Sequence, residues 1–327
     1  MSRKLITIST IMTLMSTSVI ADVPNVAADI APIHSLVSRV MDGVGAPKLI
    51  VQSGASPHGY RLRPSEAKAL QDADHVFWMG EELTPWLDSA IGTLASKASV
   101  TTLLDQQGVI LHDFREGALF EAHDHSAHGD DDHDDHDDHD DHDDHDDHKD
   151  HDDHDDHDDH DPHAWLSPEN AKLWLNIIAS KLSVSDPENA ATYFMNAAAG
   201  QAEIEAMIAE VKATLKPVQG GKFVVFHDAY QYFENDFDFY ASGAISLGDS
   251  SDPSPARIEK VQKRIRDEGI QCVLAEPQFK KGLVATVMEG SDATASVIDP
   301  LGAELETGPK LYTRLIKNMA KTLRNCL

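Results

Sequence analysis

Three histidines in this 327-residue chain fall where metal chemistry would need them. His58 follows a short apolar run at 48–52 by way of Ser53-Gly54-Ala55-Ser56-Pro57. His227 directly ends the run Phe223-Val224-Val225-Phe226. His163 sits in Asp161-Pro162-His163-Ala164-Trp165-Leu166, just ahead of a helix that Ser167 caps and Pro168 starts. Residues just past the C-terminal ends of parallel strands line the crevice in which open α/β sheets bind ligands. Three neutral imidazoles converging there make a tetrahedral zinc site with one position left over. A lone histidine of this kind is more often structural than ligating; the joint placement of three carries the reading. Asp299 is a further candidate, at the end of an apolar run at 296–298. It ligates the metal, accepts a hydrogen bond from a ligand histidine, or caps the next helix, and the sequence leaves these open. His34, His75 and His112 lack such a setting and read as ordinary structural histidines.

The other thirteen histidines lie between 123 and 160: His123, His125 and His128, then His133, His136, His139, His142, His145, His148, His151, His154, His157 and His160 in a near-perfect Asp-Asp-His repeat. Almost nothing in this insert can be buried, so it is expected to be disordered without metal. A solvated acidic spacer is the plain alternative, but imidazole and carboxylate at every third step suit Zn²⁺, Cu²⁺ or Ni²⁺. A flexible chain imposes no single tight geometry, so the insert is expected to offer several weak auxiliary sites. It works through tethered local concentration. Calcium is excluded, because the Gly turn and closing Glu of an EF-hand loop are missing.

The elements that must hold the three histidines are legible as alternation. Runs at 23–27, 48–52, 76–79 and 100–103 read as strands, and 32–41, 64–73 and 82–96 as helices, the first two starting on Pro. The second half repeats the pattern, with strands at 223–226, 240–246, 272–275 and 296–298 and helices at 256–268, 282–289 and 308–325. Strand–helix alternation argues for open parallel sheets, hence two α/β lobes. Between them residues 186–215, rich in Ala, Glu and Met, open on Asp186-Pro187-Glu188 and read as one helix of about 45 Å. Such a stiff connector predicts limited hinge motion. The expected organisation is a signal segment at 1–21, an N-terminal lobe at 22–185 carrying the insert at 121–161, a linking helix at 186–216 and a C-terminal lobe at 217–327.

Arg3 and Lys4 ahead of an apolar stretch, closed by Val19-Ile20-Ala21, read as an export signal with cleavage after Ala21. The segment is short for a membrane span, and no other long apolar run follows. The mature chain is therefore expected to be soluble, monomeric and periplasmic. Of the net charge of −29, the stretch 121–161 carries −22 (23 acidic residues against one Lys), which leaves an ordinary −7 elsewhere. No basic patch speaks for nucleic acid, and no apolar face speaks for membrane insertion. Cys272 and Cys326, an even pair in an exported chain, are a disulfide candidate, the alternative being two unrelated buried thiols.

Several motifs resemble one family. Gly54-Ala55-Ser56-Pro57-His58-Gly59-Tyr60 with Arg63-Pro64-Ser65, Asp161-Pro162-His163-Ala164-Trp165, Phe226-His227-Asp228-Ala229-Tyr230, Ala275-Glu276-Pro277-Gln278 and Asp299-Pro300-Leu301-Gly302 are similar to the zinc-specific solute-binding proteins of bacterial ABC importers. The resemblance spans essentially the whole mature chain. It implies two four-stranded α/β lobes joined by one long rigid helix, Zn²⁺ bound in the interlobe cleft, and delivery to an inner-membrane permease. It implies His58, His163 and His227 as ligands. Manganese-binding relatives place a carboxylate at the position of His227, and their acidic ligand matches Asp299. Some zinc members carry Glu just before the first histidine, where this chain has Pro57, so the fourth ligand stays open between water, Asp299 and a histidine of the insert. The two cysteines match positions that form a disulfide in some zinc members. Three rival readings remain: a manganese carrier, a zinc buffer without a transporter, and a zinc hydrolase using Glu276 or Asp228 as base, although either residue equally suits orienting a ligand and no enzyme is expected.

Overall fold

The computed structural model describes residues 23–115, 120, 160–246, 253–279 and 281–327, Lys281 by its backbone alone. The signal segment and the histidines of the insert up to His157 lie outside these residues.

The described residues form two sheets of the same design. The first contains β1 (Val26–Ala28), β2 (Lys48–Leu49), β3 (His75–Trp78) and β4 (Ser99–Thr102), interleaved with α1 (Ala31–Val40), α2 (Pro64–Gln71) and α3 (Pro85–Leu94). The second contains β5 (Phe223–His227), β6 (Ala244–Ser246), β7 (Cys272–Ala275) and β8 (Thr294–Val297), with α6 (Gln231–Phe237), α7 (Pro255–Glu268), α8 (Lys281–Met288) and α9 (Leu311–Cys326). Within both sheets every strand pairing is parallel, in the orders β2-β1-β3-β4 and β6-β5-β7-β8. In each sheet the chain crosses over the first strand before continuing, so a topological switch falls between β1 and β3 and again between β5 and β7. Open α/β sheets receive ligands at these switches, beyond the carboxyl ends of the strands.

Between the sheets run α4 (Pro168–Ser185) and α5 (Ala190–Leu215). Ser167 caps α4 by accepting the amide of Asn170, and Pro168 occupies its first turn, where a missing N–H costs nothing. The connecting helix differs from expectation at its start. Residues Pro187–Asn189 form a separate 3₁₀ turn, because the Asp186 carboxylate accepts the Tyr193 hydroxyl and the Asn189 amide and holds that turn apart. The remaining 26 residues give a helix of about 39 Å. Gly200 lies where this helix packs tightly against α4 and α1. A Cβ there would stand 2.9 Å from Leu175 and 3.1 Å from Arg39.

The largest core cluster is continuous from one sheet to the other. It joins Leu36, Trp165, Trp174, Ile204 and Met207 to Phe223, Tyr230 and Tyr312. Polar ties cross the same interface: Trp165 Nε1 donates to the Pro300 carbonyl, the Tyr312 hydroxyl to Trp165 O, and the Ser35 hydroxyl to Gly308 O. Separate apolar clusters pack beneath α2 and α3 and beneath α7 and α8. Cys272, first in β7, is bonded to Cys326, last in α9, with Cα atoms 5.6 Å apart, and this staples the C-terminal helix to the second sheet.

Candidate metal centre

The second sheet builds its part of the site at its switch point. His227 is the last residue of β5, and Glu276 follows the last residue of β7. The two side chains meet, His227 Nδ1 to Glu276 Oε1 at 2.5 Å, and Gln278 Nε2 donates to the other carboxylate oxygen at 2.8 Å. Glu276 is 3% exposed.

His163 is held by the turn that precedes it. Asp161 Oδ1 accepts both the amide of His163, at 3.0 Å, and its Nδ1, at 2.6 Å. Asp161 is itself buried and anchored: its amide donates to His112 O, and its carbonyl accepts the Tyr232 hydroxyl. Pro162 restrains the turn, and the 3₁₀ turn Ala164–Leu166 carries the chain into α4.

His58 comes from the loop between β2 and α2 and is half-buried. Trp86 Nε1 clamps this loop at the Pro57 carbonyl, at 2.7 Å. Beyond His58, the buried Glu66 accepts the Tyr60 hydroxyl and the Arg63 amide, both at 2.7 Å, which fixes the loop to the start of α2.

The three imidazoles converge. One ligand atom from each lies within 4.8 Å of the others, and His163 Nε2 is 3.4 Å from His227 Nε2. Carboxylates only accept hydrogen bonds, so the Nδ1 atoms bonded to Asp161 and Glu276 carry the hydrogens. The Nε2 atoms of the two rings thus face the same point, the nitrogen donor set a divalent cation such as Zn²⁺ takes. Tetrahedral zinc with Zn–N near 2.05 Å sets ligand nitrogens about 3.3 Å apart. The hollow between them, about 10 Å³ and partly open to solvent, is lined also by Pro57, Trp165, Gln278, Pro300 and Leu301. A much larger hollow of about 930 Å³ lies between α8 and β8, but Val284, Met288, Val297 and their neighbours make it mainly apolar, with none of the three histidines in its wall.

Asp299 is not among these groups. Its Oδ1 accepts the amides of Leu301 and Gly302 and its Oδ2 that of Ala303, so it caps the turn after β8. His34, His75 and His112 have ordinary bonds, to Pro47 O, Ser185 Oγ and Asn235 Nδ2. Burial pushes His34 and His75 below the usual imidazole value. His160, the last of the repeat, has Nδ1 2.9 Å from Asp113 Oδ1, and an antiparallel bridge between the same two residues closes the base of the insert.

Sequence reading missed Arg115, an isolated cation in no motif. Its guanidinium lies between Asp228, the neighbour of His227, and Glu234 of α6, with Nε 3.0 Å from both Asp228 oxygens and Nη1 2.6 Å from Glu234 Oε2. All three side chains are buried or nearly so. Burial raises both carboxyls above their usual values, and Arg115 opposes that shift. Burial likewise works against the charge of Arg115, but the two carboxylates outweigh it and hold the guanidinium above its normal value. The cluster latches the first lobe to the second beside the metal centre.

The comparisons agree with this architecture. The family described as "Zinc-uptake complex component A periplasmic" matches residues 26–326. The chain is 49% identical over 304 residues to the high-affinity zinc uptake system protein ZnuA of Brucella abortus (strain 2308), covering 92% of this chain and 91% of that protein. It is 44% identical over 308 residues to the corresponding Paracoccus denitrificans (strain Pd 1222) protein, covering 94% and 93%. A crystal structure of ZnuA superposes with TM-score 0.71 at 21% identity, over 93% of this chain and 99% of that one. The solute-binding protein FpvC from Pseudomonas aeruginosa, in complex with Mn²⁺, gives 0.70 at 18% identity, over 93% and 97%. At those two identities the likeness shows the fold.

Proposed function

The chain belongs to the family of periplasmic zinc-uptake components, and we propose that it captures Zn²⁺ with His58, His163 and His227 and delivers it to the permease of an ABC importer. The observation that carries this reading is the pair of Nε2 atoms 3.4 Å apart, each on a ring whose other nitrogen is bonded to a buried carboxylate. Such carboxylate partners fix the tautomer and raise the basicity of a ligating imidazole. Zinc is favoured over manganese because His227 supplies a nitrogen where a harder oxygen would suit Mn²⁺. Export through residues 1–21 and a disulfide fit an oxidising compartment. Among the described residues no helix is long and apolar enough to cross a membrane.

The same contacts weigh against the hydrolase reading. Glu276 is committed to His227 and Gln278, and Asp228 to Arg115, so each candidate base already serves another group. The insert acts as an auxiliary collector, since its last residue, His160, precedes His163 by three positions and tethers the repeat beside the site.

Chelator-competition titration tests the reading. The protein should bind one Zn²⁺ tightly, with Mn²⁺ far weaker. Each of His58→Ala, His163→Ala and His227→Ala should weaken zinc at least about a hundredfold, beyond the 10–100-fold typical of losing an outer partner. Tight binding that survives all three variants but vanishes on deleting 123–160 would make the protein a buffer.

A further inference from the structure

His163 and His227 come from different lobes, yet their Nε2 atoms stand 3.4 Å apart. Zinc geometry tolerates little error in that spacing, so one lobe must be held in register with the other close to the ligands. We infer that Tyr232 does this, as a positioning residue for zinc capture that ties the turn carrying His163 to the helix that follows His227. The inference rests on the three-histidine reading above.

Tyr232 lies on α6, five residues after His227, and is 1% exposed. The connection from His227 is short and internally bonded, with Ala229 N donating to His227 O and Glu234 N to Tyr230 O. The Tyr232 ring therefore keeps a fixed offset from His227. Its hydroxyl crosses to the first lobe and is used twice. It donates to the Asp161 carbonyl at 2.7 Å and accepts the His112 amide at 3.1 Å. The Asp161 amide donates in turn to the His112 carbonyl at 2.8 Å, so the three residues close a ring of hydrogen bonds. The His112 ring lies 4.7 Å from the Tyr232 ring, and Asn235, further along α6, meets its Nε2 at 3.1 Å. Asp161 is the residue whose Oδ1 holds both the amide and Nδ1 of His163. The path between the two ligands thus runs from His163 through Asp161 and Tyr232 to His227, and all four are buried. Burial, helped by the charge of Asp161, pushes the Tyr232 hydroxyl above its usual value, so it keeps its proton and remains a donor.

The test compares Tyr232→Phe with Tyr193→Phe in the intact protein. Each removes one buried hydroxyl, but that of Tyr193 serves Asp186, at the other end of α4 from His163 and about 27 Å along that helix. Tyr232→Phe should weaken zinc by about threefold to tenfold in chelator competition, less than the 10–100-fold typical of losing a ligand's own partner. Tyr193→Phe should leave zinc affinity at the native level. With Co²⁺ in place of zinc, the ring N–H protons of the ligand histidines give strongly shifted resonances. Tyr232→Phe should move that of His163 Nδ1–H and speed its exchange with solvent, and Tyr193→Phe should not. Native zinc affinity in Tyr232→Phe, an unmoved His163 resonance, or an equal loss of affinity in Tyr193→Phe would overturn the assignment. 3-Fluorotyrosine in place of Tyr232 keeps the hydroxyl and the fold; its ¹⁹F signal should shift as Zn²⁺ is added, and a signal indifferent to zinc would also overturn it. His163→Ala separates the two levels of the argument. Tight zinc binding that survives that variant means the histidine site itself is misread, whereas loss there beside native affinity in Tyr232→Phe removes Tyr232 alone.

Discussion

Removing Arg115 should destabilise the protein in a way that depends on pH and can be repaired. Arg115→Met keeps most of the side-chain volume but leaves Asp228 and Glu234, 7% and 1% exposed at their side chains, without their counter-charge. Breaking a buried pair by deleting one partner typically costs about 3–5 kcal/mol, and at these exposures solvent does little to reduce it. The two carboxyls can escape by taking up protons. Burial already raises both, and without Arg115 they rise further. A carboxyl whose folded pKa lies above its unfolded value costs stability as pH climbs from the unfolded value through the folded one. The deficit should therefore be small near pH 4.5 and grow as the pH rises. The triple variant Arg115→Met, Asp228→Asn, Glu234→Gln buries no charge and should recover most of the loss, since whole buried ion clusters are often replaceable at little cost. Urea unfolding followed by tryptophan fluorescence at pH 4.5 and 7.5, with midpoint and slope read together, measures this. A deficit under about 1 kcal/mol at pH 7.5, or a triple variant no better than the single one, would refute the reasoning.

Other outcomes follow from the same structure. His227→Asp should weaken zinc and bring manganese into measurable range, read by paired competition titrations; unchanged metal preference would remove His227 as the selective residue. Replacing Cys272 and Cys326 with Ala should lower stability by about 4 kcal/mol, the loop-entropy figure for a separation of 54 residues, measured against the oxidised native protein by urea unfolding. Asp29, fully buried at the end of β1, is raised to about 7, mainly by burial, although the amides of Met79 and Ile30 pull it down. Its folded value exceeds its unfolded one, so the native protein should lose stability relative to Asp29→Asn between about pH 4 and 7, by up to roughly 4 kcal/mol, and no more above that. A difference that is constant with pH would contradict the burial effect.

Alternation and proline placement made the two sheets readable, because helix starts at Pro64, Pro168 and Pro255 announce themselves locally. Strand lengths were less legible. Within the run 48–52 the strand is Lys48–Leu49, and within 240–246 it is Ala244–Ser246, although single backbone bonds at Ile50, Val51, Ser242 and Gly243 carry each pairing a little further. The linking helix read as starting at Asp186, but the side chain of Tyr193, seven residues on, turns Asp186 into an anchor and delays the helix to Ala190. At the site, the convergence of His58, His163 and His227 was inferred from strand ends and motifs. The roles of Glu276 and Asp161 behind the ligands were not assigned, and Arg115 and Gln278 were not singled out. Glu276 and Arg115 act through contacts across 49 and 113 residues of chain, which no local spacing encodes. For Asp299, position alone could not tell a ligand from a turn cap; three backbone amides on its carboxylate make it the cap in this structure.

The most direct test of the central claim is an anomalous difference map from zinc-loaded crystals, recorded on either side of the zinc absorption edge. The account predicts one dominant peak about 2.1 Å from a ring nitrogen of each of His58, His163 and His227. A zinc-loaded crystal with no peak between those rings, or with its strongest peak elsewhere, would contradict it.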